Sequence, residues 1–104
     1  MTALTLVRTT FPDRNSAMDA VEPILTARLA ACANLSEIAS LYHWDGALQE
    51  EGEIAVLFKT RAALVAQLCA AIRKTHPYEL PAITWWEVET DNATAGWLAA
   101  ETRA

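Results

Sequence analysis

An α+β fold is what this sequence predicts: one four-stranded antiparallel sheet in the order βαββαβ, with an extra C-terminal helix. Three observations lead there. Four β-rich segments and three amphipathic segments follow one another in that order. The two central β-rich segments follow one another with no helix between them, and an Asp45-Gly46 turn signal opens their connection. The 104 residues contain no linker, low-complexity run or sequence repeat, so residues 1–104 form a single domain. The arrangement is the ferredoxin-like split βαβ pattern.

Residues 3–10 alternate and are β-rich, which predicts the first strand. Asp13 or Ser16 can cap the helix that follows, and Ser16-Ala17-Met18-Asp19 nearly has capping-box spacing. Ala17, Val21, Ile24, Leu25, Ala31 and Cys32 then recur at helical spacing, so the helix is predicted to run as far as Cys32. Pro23 lies inside it, removes a hydrogen bond and should bend it.

Residues 35–44 form a long strand, with Ile38, Ser40, Tyr42 and Trp44 on one face and Ala39, Leu41 and His43 on the other. The connection is expected to last until Gly52, and the return strand to cover residues 53–60 with Ile54, Val56 and Phe58 on one side. Residues 61–75 make the second helix, whose stripe is Leu64, Val65, Leu68, Cys69 and Ile72. The fourth strand covers about residues 82–88, with Trp85 over the helices and Trp86 facing away, or the reverse. Asp91 or Thr94 caps the closing helix, with Trp97 and Leu98 on its inner face.

Bulk properties narrow the function. A net charge of −5, with lysines and arginines scattered singly, speaks against nucleic acid and against anionic membrane surfaces. Apolar runs fall far below the roughly 20 residues of a spanning helix. The N-terminus shows no positive n-region or cleavage site, so a cytoplasmic location is expected. Cys32 and Cys69 do not make a disulfide framework and are expected to be free thiols. Hydrophobic residues make up 53% of the chain, including four tryptophans, more than so small a globule can hide. Burial against copies of itself is the simplest outlet. The long central hairpin, with Tyr42, His43 and Trp44 near its tip, is an aromatic edge that invites such pairing.

The most informative seven residues are Thr75-His76-Pro77-Tyr78-Glu79-Leu80-Pro81. Their prolines fix φ and push His76 and Leu80 toward extended backbone, holding an imidazole, a phenol and a carboxylate still. Two more elements accompany them: Arg28-Leu29-Ala30-Ala31-Cys32-Ala33-Asn34, and Ser40-Leu41-Tyr42-His43-Trp44-Asp45-Gly46 followed by Glu50-Glu51 and the run from Ile54 to Lys59-Thr60. Together with Thr9-Thr10-Phe11-Pro12-Asp13, and in this order, they resemble the CutA family of divalent-cation-tolerance proteins, over about residues 4–100. The resemblance implies a compact homotrimer built by hairpins reaching across to neighbours, and a role in tolerance of divalent metal ions, copper among them. It also implies a metal ligand at the position of Cys32.

The residues themselves leave the site open. None of Cys32, Cys69, His43 and His76 shows metal-ligand spacing, so a metal centre would be assembled from separate elements or subunits. Cys32 and His76 are the candidate metal ligands, with Cu²⁺ preferred and Zn²⁺ weaker, and no cofactor is obligatory. By its residue type and place alone Cys32 reads as a small apolar filler beside the sheet, and it is the resemblance that makes it a ligand candidate. Trp44, Lys59, Tyr78 and Glu79, with His76, are the candidate lining of a small-ligand pocket between subunits. His76, Tyr78 and Glu79 alternatively form a network that orders the link, with Lys59 as a partner.

No catalytic residue is assigned, since neither Ser-His-Asp nor Cys-His pairing is implied by spacing. A small ferredoxin-like enzyme of acylphosphatase-like or isomerase-like kind would want a glycine-rich phosphate cradle, and the three glycines are isolated. A regulator resembling the PII proteins would want long flexible loops and nucleotide-binding glycines. A non-enzymatic trimer binding a metal ion or small ligand is the preferred expectation, and the fold alone does not choose among the three.

Overall fold

The computed structural model describes residues 2–104. Its elements are β1 (Thr2–Phe11), α1 (Arg14–Thr26), β2 (Cys32–Trp44), β3 (Ala47–Thr60), a 3₁₀ turn (Ala62–Leu64), α2 (Val65–Thr75), β4 (Thr84–Thr90) and α3 (Asn92–Glu101). The sheet runs β2-β3-β1-β4 with every neighbouring pair antiparallel. This is the expected α+β, ferredoxin-like architecture.

Asp13, in extended backbone, caps α1: its Oδ1 accepts from the Ser16 N–H at 2.8 Å. The helix stops at Thr26, six residues short of Cys32. Arg28 takes φ 59°, the Leu29 N–H reaches the Ile24 carbonyl and the Arg28 N–H the Leu25 carbonyl. These paired bonds are a Schellman closure, which ordinarily asks for glycine at the left-handed position. Leu29 and Ala30 continue the apolar period into the core from the loop, and Cys32 opens β2 instead of ending a helix. Pro23 sits on the exposed side of α1 three residues before this stop.

The hairpin differs from its expected shape. Asp45 and Gly46 form a two-residue turn with φ 53° and 76°, the type I′ geometry that matches strand twist. β3 therefore begins at Ala47, and the polar stretch from Gln49 to Gly52 is strand, each residue paired across to β2. β1 pairs with β3 only from Ile54 to Thr60. Residues 38–53 project beyond the sheet as a two-stranded ribbon, giving the molecule extents of 45 × 25 × 21 Å.

One sheet face carries Val7 and Phe11 of β1 with Val56 and Phe58 of β3, all with no exposed surface. Against them pack Ala17, Ala20, Val21 and Ile24 of α1, and Leu68, Cys69 and Ile72 of α2. The register sets Leu6, Arg8 and Thr10 on the opposite face beside Lys59, Leu57 and Ala55. Trp85 pairs with Val7 and Trp86 with Leu6, on opposite faces as expected, but at this edge strand both stay about half exposed, at 52% and 43%. Asp91, not Thr94, caps α3. Leu98 is buried while Trp97 is left outside, because α3 covers only a narrow stripe against β1. The C-terminal residues are tied back: Arg28 pairs with Glu101, the Arg103 N–H donates to the Arg28 carbonyl, and Arg61 Nε donates to Thr102 Oγ1.

Candidate functional site

The link between α2 and β4 crosses the end of the sheet where the ribbon leaves it. The His76 N–H closes α2 on the Ile72 carbonyl, and the proline after it holds His76 extended at φ −69°, ψ 133°. The imidazole then lies flat on Phe11, with ring centroids 4.3 Å apart and 15° between planes. Both ring nitrogens are engaged. Nε2 is 2.7 Å from the Thr10 carbonyl oxygen, which can only accept, so Nε2 carries the hydrogen. Nδ1 accepts from the Tyr78 N–H at 3.1 Å, so it must keep its lone pair. The ring is therefore neutral and in one defined tautomer. Burial pushes the imidazole below its ordinary pKa, against the opposing pulls of the Thr10 carbonyl and Glu53.

Tyr78 tilts against His76 at 4.9 Å and donates its hydroxyl to Glu53 Oε2 at 2.7 Å. Glu53 is the last β3 residue before the strand joins β1, and its side chain shares the face of Thr10 and Ala55. Burial would raise its carboxyl. Hydrogen bonds from Ser40, Tyr78 and Thr10 and the nearby Arg8 charge outweigh that and hold it below the usual carboxylate range. Burial and the Glu53 carboxylate in turn drive the Tyr78 phenol far up, so it remains a donor. Tyr42, further out on the ribbon, is raised by partial desolvation and by its bond to Glu51.

The structure brings His76 and Tyr78 together and adds Glu53 and Thr10, which the sequence reading passed over. Strand parity already sets Glu53 on the face of Ala55; what the sequence does not show is the register that pairs Ala55 with Thr10 and so sets Glu53 beside the link. Lys59 is not their partner. It lies directly across from Cys32, in the row of Leu6, whereas Thr10 pairs with Ala55 four residues along. Those four residues separate the Cys32 and His76 levels by about 13 Å along the strands. Cys32 Sγ has Asn34 Oδ1 at 3.9 Å. Within one chain, then, Cys32 and His76 do not share a pocket, and His76 has no free lone pair to offer. Glu79 is exposed on the link, and Trp44 stands at the ribbon tip, 60% exposed. Among the described residues, no three His, Cys, Asp or Glu side chains are grouped as a metal ion would need. Cys32 and Cys69 are free thiols, and burial raises the pKa of Cys69.

The family model described as CutA1 divalent ion tolerance protein matches residues 5–101. The divalent-cation tolerance protein CutA of Pyrococcus horikoshii is 41% identical over 99 residues, covering 94% of this chain and 97% of that protein. The crystal structure of CutA1 from the same organism superimposes with a TM-score of 0.93 at 39% identity, covering 96% of this chain and 99% of that one. A periplasmic divalent cation tolerance protein CutA from Archaeoglobus fulgidus gives a TM-score of 0.90 at 25% identity, over 94% and 97% of the two chains. In sequence, length and architecture alike, this chain belongs to the CutA1 divalent ion tolerance protein family.

Proposed function

We propose that the protein serves divalent-cation tolerance as a non-enzymatic homotrimer that holds a metal ion or small ligand where its copies meet. The observation that carries this reading is the ribbon of residues 38–53. Among the described residues it pairs with no other strand, yet it carries Leu41, Trp44 and Leu48, each at least 60% exposed. A lone two-stranded ribbon is only marginally stable in water, and an apolar one needs a cover. Copies of the same chain supply that cover with closed symmetry. The names of the relatives supply the divalent cation. Copper is the preferred ion, because Cys32 is a half-buried soft ligand on the sheet face away from the helices, and Zn²⁺ follows more weakly. The second ligand set would come from a neighbouring copy, since His76 is engaged within its own chain. A reducing cytoplasm fits the two unbonded thiols.

Light scattering at micromolar concentration tests the assembly: the expected mass is three times the 11.4 kDa of the chain, and the mass of a single chain sinks the reading. Calorimetric titration with Cu²⁺ tests the ion. Cys32→Ser is expected to lose affinity at least about tenfold while His76→Asn keeps it, and equal affinity in Cys32→Ser and wild type removes copper from the proposal.

A further inference from the structure

We propose that His76 is a proton-operated latch: protonation of its ring releases Tyr78 and, through it, the Glu53 carboxylate at the base of the ribbon. The geometry gives each ring nitrogen one duty. Nε2–H donates to the Thr10 carbonyl, and Nδ1 accepts from the Tyr78 N–H. A second proton has only Nδ1 to occupy, where it meets the Tyr78 N–H head on at a separation of 3.1 Å between nitrogens. Two donors cannot share that line, so either the ring or the Tyr78 backbone must turn away.

The consequence passes beyond the link because Tyr78 is held at both ends. Its backbone is fixed by the imidazole and its hydroxyl by Glu53 Oε2 at 2.7 Å. Pro77 and Pro81 stiffen the segment between, so a turn of the Tyr78 backbone moves the phenol as well. Glu53 then loses one charge-assisted donor and is held by Thr10 and Ser40 alone.

The charged and titratable groups that face the ring or its phenol bear on where the latch opens. On β1, Phe11 stacks on the ring and desolvates it, Thr10 presents its carbonyl, and Arg8 lies within range of Glu53. On β3, Glu53 favours the imidazolium, and Glu51 acts on Tyr78; on β2, Tyr42 also acts on Tyr78. Burial is the largest influence on the ring and opposes its charging, so opening falls below the ordinary histidine value of about 6.5. Glu53 stays ionised there, because its own carboxyl is held below the usual carboxylate range.

The latch goes beyond the assembly reading and does not depend on it. Its test is amide exchange at Tyr78 in the intact protein, corrected for the intrinsic pH dependence of exchange. Protection of Tyr78 is expected to fall about fivefold or more between roughly pH 7.5 and pH 5, the change that one net hydrogen bond carries. His76→Asn keeps an acceptor for the N–H two residues on, as an Asx turn does, and cannot titrate. Its protection is expected to stay flat. Flat wild-type protection, or the same pH response in His76→Asn, overturns the proposal. Ring-nitrogen NMR of the unmodified protein is the second reading, needing no variant: a neutral ring bearing its hydrogen on Nδ1 overturns it too. Light scattering on the same samples shows separately whether the trimer exists.

Discussion

Removing the Tyr78 hydroxyl tests whether the link and the ribbon base are one energetic unit. Tyr78→Phe deletes one donor and keeps the ring that lies against His76. A phenol-to-carboxylate bond is charge-assisted, in a class worth about 1.5–3 kcal/mol where water is excluded. Glu53 is only partly buried and also accepts from Ser40 and Thr10, so solvent and these donors recover part of the loss. The net effect is about 1 kcal/mol, which for a domain of this size lowers Tm by roughly 4–8 °C. The assay is a double-mutant cycle of Tyr78→Phe and Glu53→Gln by thermal unfolding at fixed protein concentration, since assembly makes Tm depend on it. A coupling of about 1 kcal/mol is expected. Coupling below about 0.3 kcal/mol would show that the two groups touch without stabilising one another, and would refute the argument. Carbon NMR of Glu53 adds a check: its titration is expected to move up in Tyr78→Phe, because a donor to the charged form is gone.

Two further outcomes follow from the same structure. Gly46→Ala is expected to cost about 1 kcal/mol through backbone strain alone, because φ is 76° and an added Cβ meets no atom within 4 Å; denaturant unfolding with an unchanged m-value checks it. Stability is expected to fall in two steps on acidification, measured by urea midpoints across pH. Below about 6.5 the unfolded chain takes up a proton that folded His76 resists, so stability drops until the folded ring also charges, and His76→Asn lacks this step. The second step comes below about pH 4, where the depressed carboxyls of Glu53 and Asp91 lose the stabilisation they supply above it. A wild-type midpoint that is flat or rising as the pH falls from about 7 to 5 contradicts the first step.

The order of elements, the apolar stripes of α1 and α2 and the turn residues Asp45-Gly46 were legible in the sequence, and the caps were narrowed to Asp13 or Ser16 and to Asp91 or Thr94. Each depends on near neighbours: a side chain reaching an amide three residues on, or a period of two or 3.6. The end of α1 was not, because Arg28 adopts a left-handed conformation that residue type alone does not announce, and Leu29 and Ala30 extend the helical period from outside the helix. The true length of β3 was hidden for a related reason. Gln49, Glu50 and Glu51 look like loop until β2 supplies the hydrogen-bonding partner on the other side. For the site, the rigid link and its imidazole and phenol could be read from Pro77, Tyr78 and Pro81. Which nitrogen of His76 carries the hydrogen, and which carboxylate receives Tyr78, could not. Those were decided by strand register, which sets Thr10 and Glu53 within reach and moves Lys59 and Cys32 to the far end of the sheet. Register is a property of the whole sheet and sums many weak pairings, so no local run of residues contains it.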